Sequence, residues 1–90
     1  MTQQKNLIEP EAWLIAIARE RVTESKRAFF MDCLRQLPRY GIVGFNRGYL
    51  AQLAENRGQV SKMERLCNVA VKGGILGQFI RNGKMVYSVA

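Results

Sequence analysis

The chain has no histidine. That removes Ser-His triads, His-based acid–base catalysis and His metal ligation together. Carboxylates are scarce too, with seven Asp and Glu against fourteen Lys and Arg. Glycines do cluster at Gly73-Gly74-Ile75-Leu76-Gly77. However, that stretch follows a helical pattern and enters a strand, the wrong order for a dinucleotide or Walker-type phosphate loop. No nucleophile, base and oxyanion group can be assembled, so no enzyme is expected, and no cofactor or metal site is read.

Long apolar runs are missing as well. The longest, from Ala12 to Ala18, falls far short of a membrane span. Glu9 and Glu11 stand just before it, which makes a poor secretory signal. Cysteine is limited to Cys33 and Cys67, each on an apolar helical face and not in a CxxC or a loop. Both are expected to be buried free thiols in a reducing cytosol, the alternative being a disulfide or metal pair. The expectation is a complete cytoplasmic protein with one core and no membrane contact.

What is present is positive charge. The net charge is +7 over ninety residues. Up to Val22 the signs balance, so all of it lies in 23–90. From Arg57 onward six cations face a single acid, Glu64. A local basic excess on a small domain points to a polyanion, because each neutralised phosphate releases condensed counterions. A membrane surface or plain solubility is the alternative.

The first eight residues are polar except Leu7 and Ile8, and are expected to be loose. Pro10 then suits the start of a helix over 10–22, with Glu9 and Glu11 near its positive end. Its middle is apolar almost all the way round, which suggests a second packing surface beyond the core, the alternative being a helix sunk deep in its own domain. Trp13, Leu14 and Ile17 are the expected homodimer contacts. Thr23 or Ser25 caps a second helix over 24–37, in which Phe30, Leu34 and Leu37 share one stripe. Pro38 ends it, and a short strand over 42–45 follows.

Asn46 caps a helix over 47–55, and Asn56-Arg57-Gly58 reads as a turn. Ser61 and Glu64 fit a capping box that opens a helix running to Lys72. Gly73-Gly74 stops it. Strands over 75–80 and 85–89 flank Asn82-Gly83, the strongest short hairpin signal. The fold class is therefore mainly α with a small antiparallel β-hairpin, an α+β winged helix-turn-helix with an extra N-terminal helix. Residues 1–22 form the dimerising segment and 23–90 the DNA-binding domain.

At 100° per residue, Met63, Leu66, Cys67 and Ala70 fall on one side of the 61–72 helix. Ser61, Lys62, Arg65, Asn68, Val69 and Lys72 fall on the other. Arg can take guanine bidentately, Asn adenine, and Val a thymine methyl. Lys62 and Lys72, nearer the ends, suit phosphates, and Arg57 and Gln59 could reach phosphates at the helix start. In the hairpin, Arg81, Asn82 and Lys84 sit at the tip, where backbone or minor-groove contact is expected. The bland alternatives are a solvated helix face and cationic protection of a sheet edge. Tyr49 and Tyr87 read as core packers, and Arg47 is ambiguous.

Leu50-Ala51-Gln52-Leu53-Ala54, Ser61 with Met63-Glu64-Arg65-Leu66, Gly73-Gly74-Ile75-Leu76 and Gly83-Lys84-Met85-Val86-Tyr87 occur in that order. On them, residues 25–90 resemble the winged-helix transcription regulators of bacteria, phages and plasmids. The resemblance implies that the short strand pairs with the wing. It places the reading-helix role on Lys62, Arg65, Asn68, Val69 and Lys72, and the wing role on Arg81, Asn82 and Lys84. It implies a sequence-specific double-stranded DNA-binding protein, a repressor or related regulator acting as a homodimer. The same fold also serves replication or partition factors and protein-interaction modules. The two-residue wing turn implies phosphate contact over base reading, and no residues for sensing a small molecule stand out.

Overall fold

Asparagine starts two of the helices in the computed structural model, which describes residues 7–89. The side chain of Asn46 accepts from the Tyr49 amide at 3.2 Å, and that of Asn56 from the Gln59 amide at 3.0 Å. Each satisfies an amide that the first helical turn leaves without a partner. Both are followed by Arg and then Gly, as Asn46-Arg47-Gly48 and Asn56-Arg57-Gly58. A Cβ on Gly48 or Gly58 would stand 3.0 or 3.2 Å from the capping oxygen. Glycine here makes room for the cap.

The elements are α1 (Glu9–Arg19), α2 (Glu24–Gln36), β1 (Gly44–Asn46), α3 (Arg47–Leu53), α4 (Arg57–Lys72), β2 (Leu76–Arg81) and β3 (Lys84–Val89). The class is α+β, as expected: mainly helical, with one small antiparallel sheet in the order β1-β3-β2. The sheet pairs Phe45 with Tyr87 and Gln78 with Tyr87, while Arg81 faces Lys84 across the turn. Asn82 and Gly83 have φ of 51° and 76°, the left-handed pair that a two-residue turn needs.

Several boundaries differ from expectation, each for a local reason. α4 begins at Arg57, four residues before Ser61, because the cap is Asn56. Gln59 reinforces it by accepting from the Glu55 amide at 2.7 Å. The Asn56-Arg57-Gly58 turn is therefore a helix start, and Ser61 lies on the helix, exposed. α1 ends at Arg19 and not at Val22, since Glu20 is extended and leads into the linker 20–23. Thr23 then caps α2 through the Lys26 amide. Past α2, Pro38 tightens the chain into a 3₁₀ turn, Leu37–Tyr40, closed by Gly41 at φ 87°. The expected looseness of the first eight residues lies, for 1–6, outside the described residues.

One core joins all the helices and the sheet. Leu14, Phe30, Leu34, Leu37, Leu50, Met63 and Cys67 are fully buried within it. This corrects the expected dimer face: α1 packs against both α2 and α4, so Leu14 and Ile17 lie in the core of their own protomer. Of that trio Trp13 alone is exposed, in an edge-on contact with Phe29 at 5.1 Å. The apolar girth of α1 is taken up inside the protomer, and α1 shares its core with 23–90. Tyr49 adds a further tie, its hydroxyl donating to Glu11 at 2.6 Å.

Cys33 and Cys67 are buried free thiols. Burial, with smaller contributions from Asp32 and Glu9, pushes Cys33 up to about 11 from an ordinary 9.0. Burial and then Glu64 push Cys67 up to about 12. Tyr49 is raised as well, by burial first and then by its bond to the Glu11 carboxylate. All three groups bind their protons more tightly when folded than when unfolded. The contribution of the two thiols is therefore intact below about pH 9 and is lost as pH rises through 11 to 12. The urea midpoint should fall across that range, and a thiol reagent at pH 8 should label both cysteines only in unfolding urea. In the same assay Leu14→Ala should cost about 2–5 kcal/mol. Trp13→Ala should cost only about 1 kcal/mol, its aromatic contact.

Candidate nucleic-acid interface

α4 is anchored by one side. Val60, Met63, Leu66, Cys67 and Ala70 are buried, which turns Ser61, Arg65, Asn68, Val69 and Lys72 outward to solvent. Helical spacing puts Ser61, Arg65 and Lys72 along the crest, Lys62 and Val69 on one flank, and Glu64 and Asn68 on the other.

The first flank meets the linker between α1 and α2. Half-buried Lys62 donates from Nζ to the Glu20 carbonyl at 2.8 Å, binding linker to helix. The Glu20 carboxylate is taken by Lys26, whose hydrogen bond and charge hold its pKa below the usual value. Between linker, α2 and α4 opens a cleft of about 480 Å³, floored by Val22, Leu66 and Val69. Arg21, Arg27, Lys62 and Arg65 line it, with no carboxylate among the lining residues. Sequence pattern does not single out Arg21 and Arg27. They lie on a different element from the helix they join, and only their charge could have signalled them.

The second flank meets the hairpin. The Asn68 Oδ1 accepts from the Tyr87 hydroxyl at 3.0 Å and from Gln78 at 3.4 Å. Asn68 thus ties α4 to the sheet, and its amide group keeps an exposed position while its oxygen is engaged. Glu64, the lone acid after Arg57, is paired with Arg47 at 3.3 Å. Lys84 and Met85 line a cleft with that pair.

Other expected contacts sit apart. Gln59 is buried at 8% exposure and engaged with the Glu55 amide, so it cannot serve as a phosphate contact. Arg81 lies over the Phe79 ring at 5.5 Å, and strand alternation puts both on the sheet face opposite Tyr87. Arg57 is exposed at the first residue of α4, and Asn82 is exposed in the turn. Arg81 and Lys84 are direct cross-strand partners, a like-charge pairing that an anion would relieve. Tyr87 is buried against Phe45 at 5.4 Å, as a core packer should be.

Four ion pairs occur among the described residues, involving Arg19, Lys26, Arg35 and Arg47. Arg21, Arg27, Arg39, Arg57, Lys62, Arg65, Lys72, Arg81 and Lys84 make none. The uncompensated charge is thus concentrated on α4, the linker beside it and the hairpin. Among the described residues no cluster of His, Cys, Asp and Glu could hold a metal, and no helix is long and apolar enough to cross a membrane. The chain matches no family model, no curated protein and no solved structure, so its residues and their geometry carry the functional argument.

Proposed function

We propose that this chain is a winged-helix protein that binds double-stranded DNA sequence-specifically, with α4 as its reading helix and the β2–β3 hairpin as its wing. One observation carries the proposal. The crest of α4 presents Ser61, Arg65 and Lys72 between two flanks, and its only carboxylate, Glu64, is neutralised by Arg47. Such a ridge has the diameter of a helix and fits a major groove about 12 Å wide. Arg65 and Val69 are free to meet base edges, and Asn68 offers an amide donor. Arg57, Lys72 and Lys84 suit phosphates, and the like-charge pair at the hairpin tip favours an anion there.

The biological role in this proposal is that of a transcriptional regulator, a repressor above all. A replication or partition factor would use the same surface, and the position of bound sites relative to promoters or origins distinguishes the two. A homodimer on an inverted repeat remains part of the proposal, with the exposed Trp13–Phe29 pair now its apolar contact on α1 and α2. A second reading, a protein-interaction module, is favoured by exposed Phe79, Ile80 and Met85 on the hairpin.

The test is fluorescence anisotropy of purified protein with random-sequence duplex, at low and at moderate salt. Steep salt-dependent binding is expected. Absence of binding even at low salt would falsify the DNA proposal and favour the interaction module. On a selected site, Arg65→Ala should cost about 1–3 kcal/mol and blur one base position. Lys84→Ala should weaken all sequences alike and lower the salt slope by about one unit.

A further inference from the structure

We infer that Arg21 and Arg27 form a phosphate clamp on the linker flank of α4, gripping the DNA strand on the side away from the hairpin. The inference rests on the DNA-binding proposal and extends it to a region outside the helix-turn-helix and hairpin.

A helix lying in the major groove has a phosphodiester strand along each flank. On one flank of α4 the hairpin supplies Lys84. On the other stands the cleft lined by Arg21 and Arg27, and it shares Arg65 and Val69 with the outward face of α4. Anything lying along that face therefore passes over the cleft mouth. The two arginines are exposed, and neither makes an ion pair. The nearest carboxylate in sequence, Glu20, is held by Lys26. Guanidinium groups match phosphate oxygens in a planar, bidentate fork, which a solvated lysine does not.

The linker is also held where a clamp needs it. Lys62 fastens the Glu20 carbonyl to α4, and Thr23 starts α2 three residues later. Arg21 stands between these fixed points, and Arg27 follows in the first turn of α2. Lys62 acts here as a positioning residue.

The experiment measures the salt dependence of duplex binding by the full-length chain, for wild type, Arg21→Gln/Arg27→Gln and Arg39→Gln. Arg39 lies beyond the far end of α2, so it shows what the loss of one charge away from the cleft does. Removing two phosphate-binding side chains should lower the slope of log K against log salt by about 1.8 units. A fourfold rise in salt then weakens the double variant about tenfold less than wild type. Arg39→Gln should keep the wild-type slope. The exposed positions predict unchanged urea midpoints, so a changed slope reports binding and not unfolding. A double variant with the wild-type slope overturns the clamp while leaving the DNA proposal standing. So does a slope change in Arg39→Gln that is as large per charge removed as that of the double variant, about 0.9 units. A wild-type chain that binds no duplex at low salt overturns the proposal on which the clamp rests.

Discussion

Burial of Leu14 and Ile17 beside α4 decides which side of that helix faces outward. Without α1, a ninety-residue chain would offer α4 only α2, α3 and a three-stranded sheet to pack on. With it, the apolar side of α4 is enclosed from several directions, and the basic side has no apolar neighbour to turn toward. Rotating α4 would bury cations and expose Met63 and Cys67, and the cost of an unpaired buried charge forbids it. The electrostatic surface is thus a by-product of core packing. The same enclosure raises the thiols and the Tyr49 hydroxyl, so all three stay protonated at neutral pH.

Polar ties then set the angles that packing leaves soft. Lys62 to Glu20, Asn68 to Tyr87, Tyr49 to Glu11 and Arg19 to Glu55 each join elements distant in sequence. Two of them use residues of the outward face of α4 itself. In the DNA proposal, the groups that would meet the ligand also hold the scaffold, so a substitution there disturbs binding and fold together. Lys62 and Asn68 are therefore less free to be exchanged than Arg65, which carries no such duty.

Much of this is legible from local pattern. The Asn82-Gly83 turn, the Asn46 cap, the Phe30-Leu34-Leu37 stripe and the apolar side of α4 follow from rules that act within a few residues. Expectation and structure part where two local signals compete or where the answer is tertiary. Ser61 with Glu64 looks like a cap, yet Asn56, which reads as part of a turn, takes that role by accepting from the Gln59 amide. The all-round apolarity of α1 suggests a surface for a second copy, yet α2 and α4 use it from two sides. Nothing local tells Lys62 to reach Glu20, or brings Arg21 and Arg27 beside α4. Those juxtapositions belong to the fold and are invisible to periodicity.

The pairing of β1 with β3 has a consequence for the order of assembly. Gly44 and Ser88 are partners across forty-four residues of chain, about the span that separates Glu20 from Lys62, whereas the β2–β3 hairpin closes locally. Closing a loop of that length costs on the order of 3 kcal/mol in chain entropy. β1 is thus placed to join after the hairpin has closed, onto the free side of β3. Asn46 is both its final residue and the cap of α3, so a detached strand also frays the start of that helix. This edge strand is in that way a latch, whose closing reports that the hairpin it pairs with has already found its place.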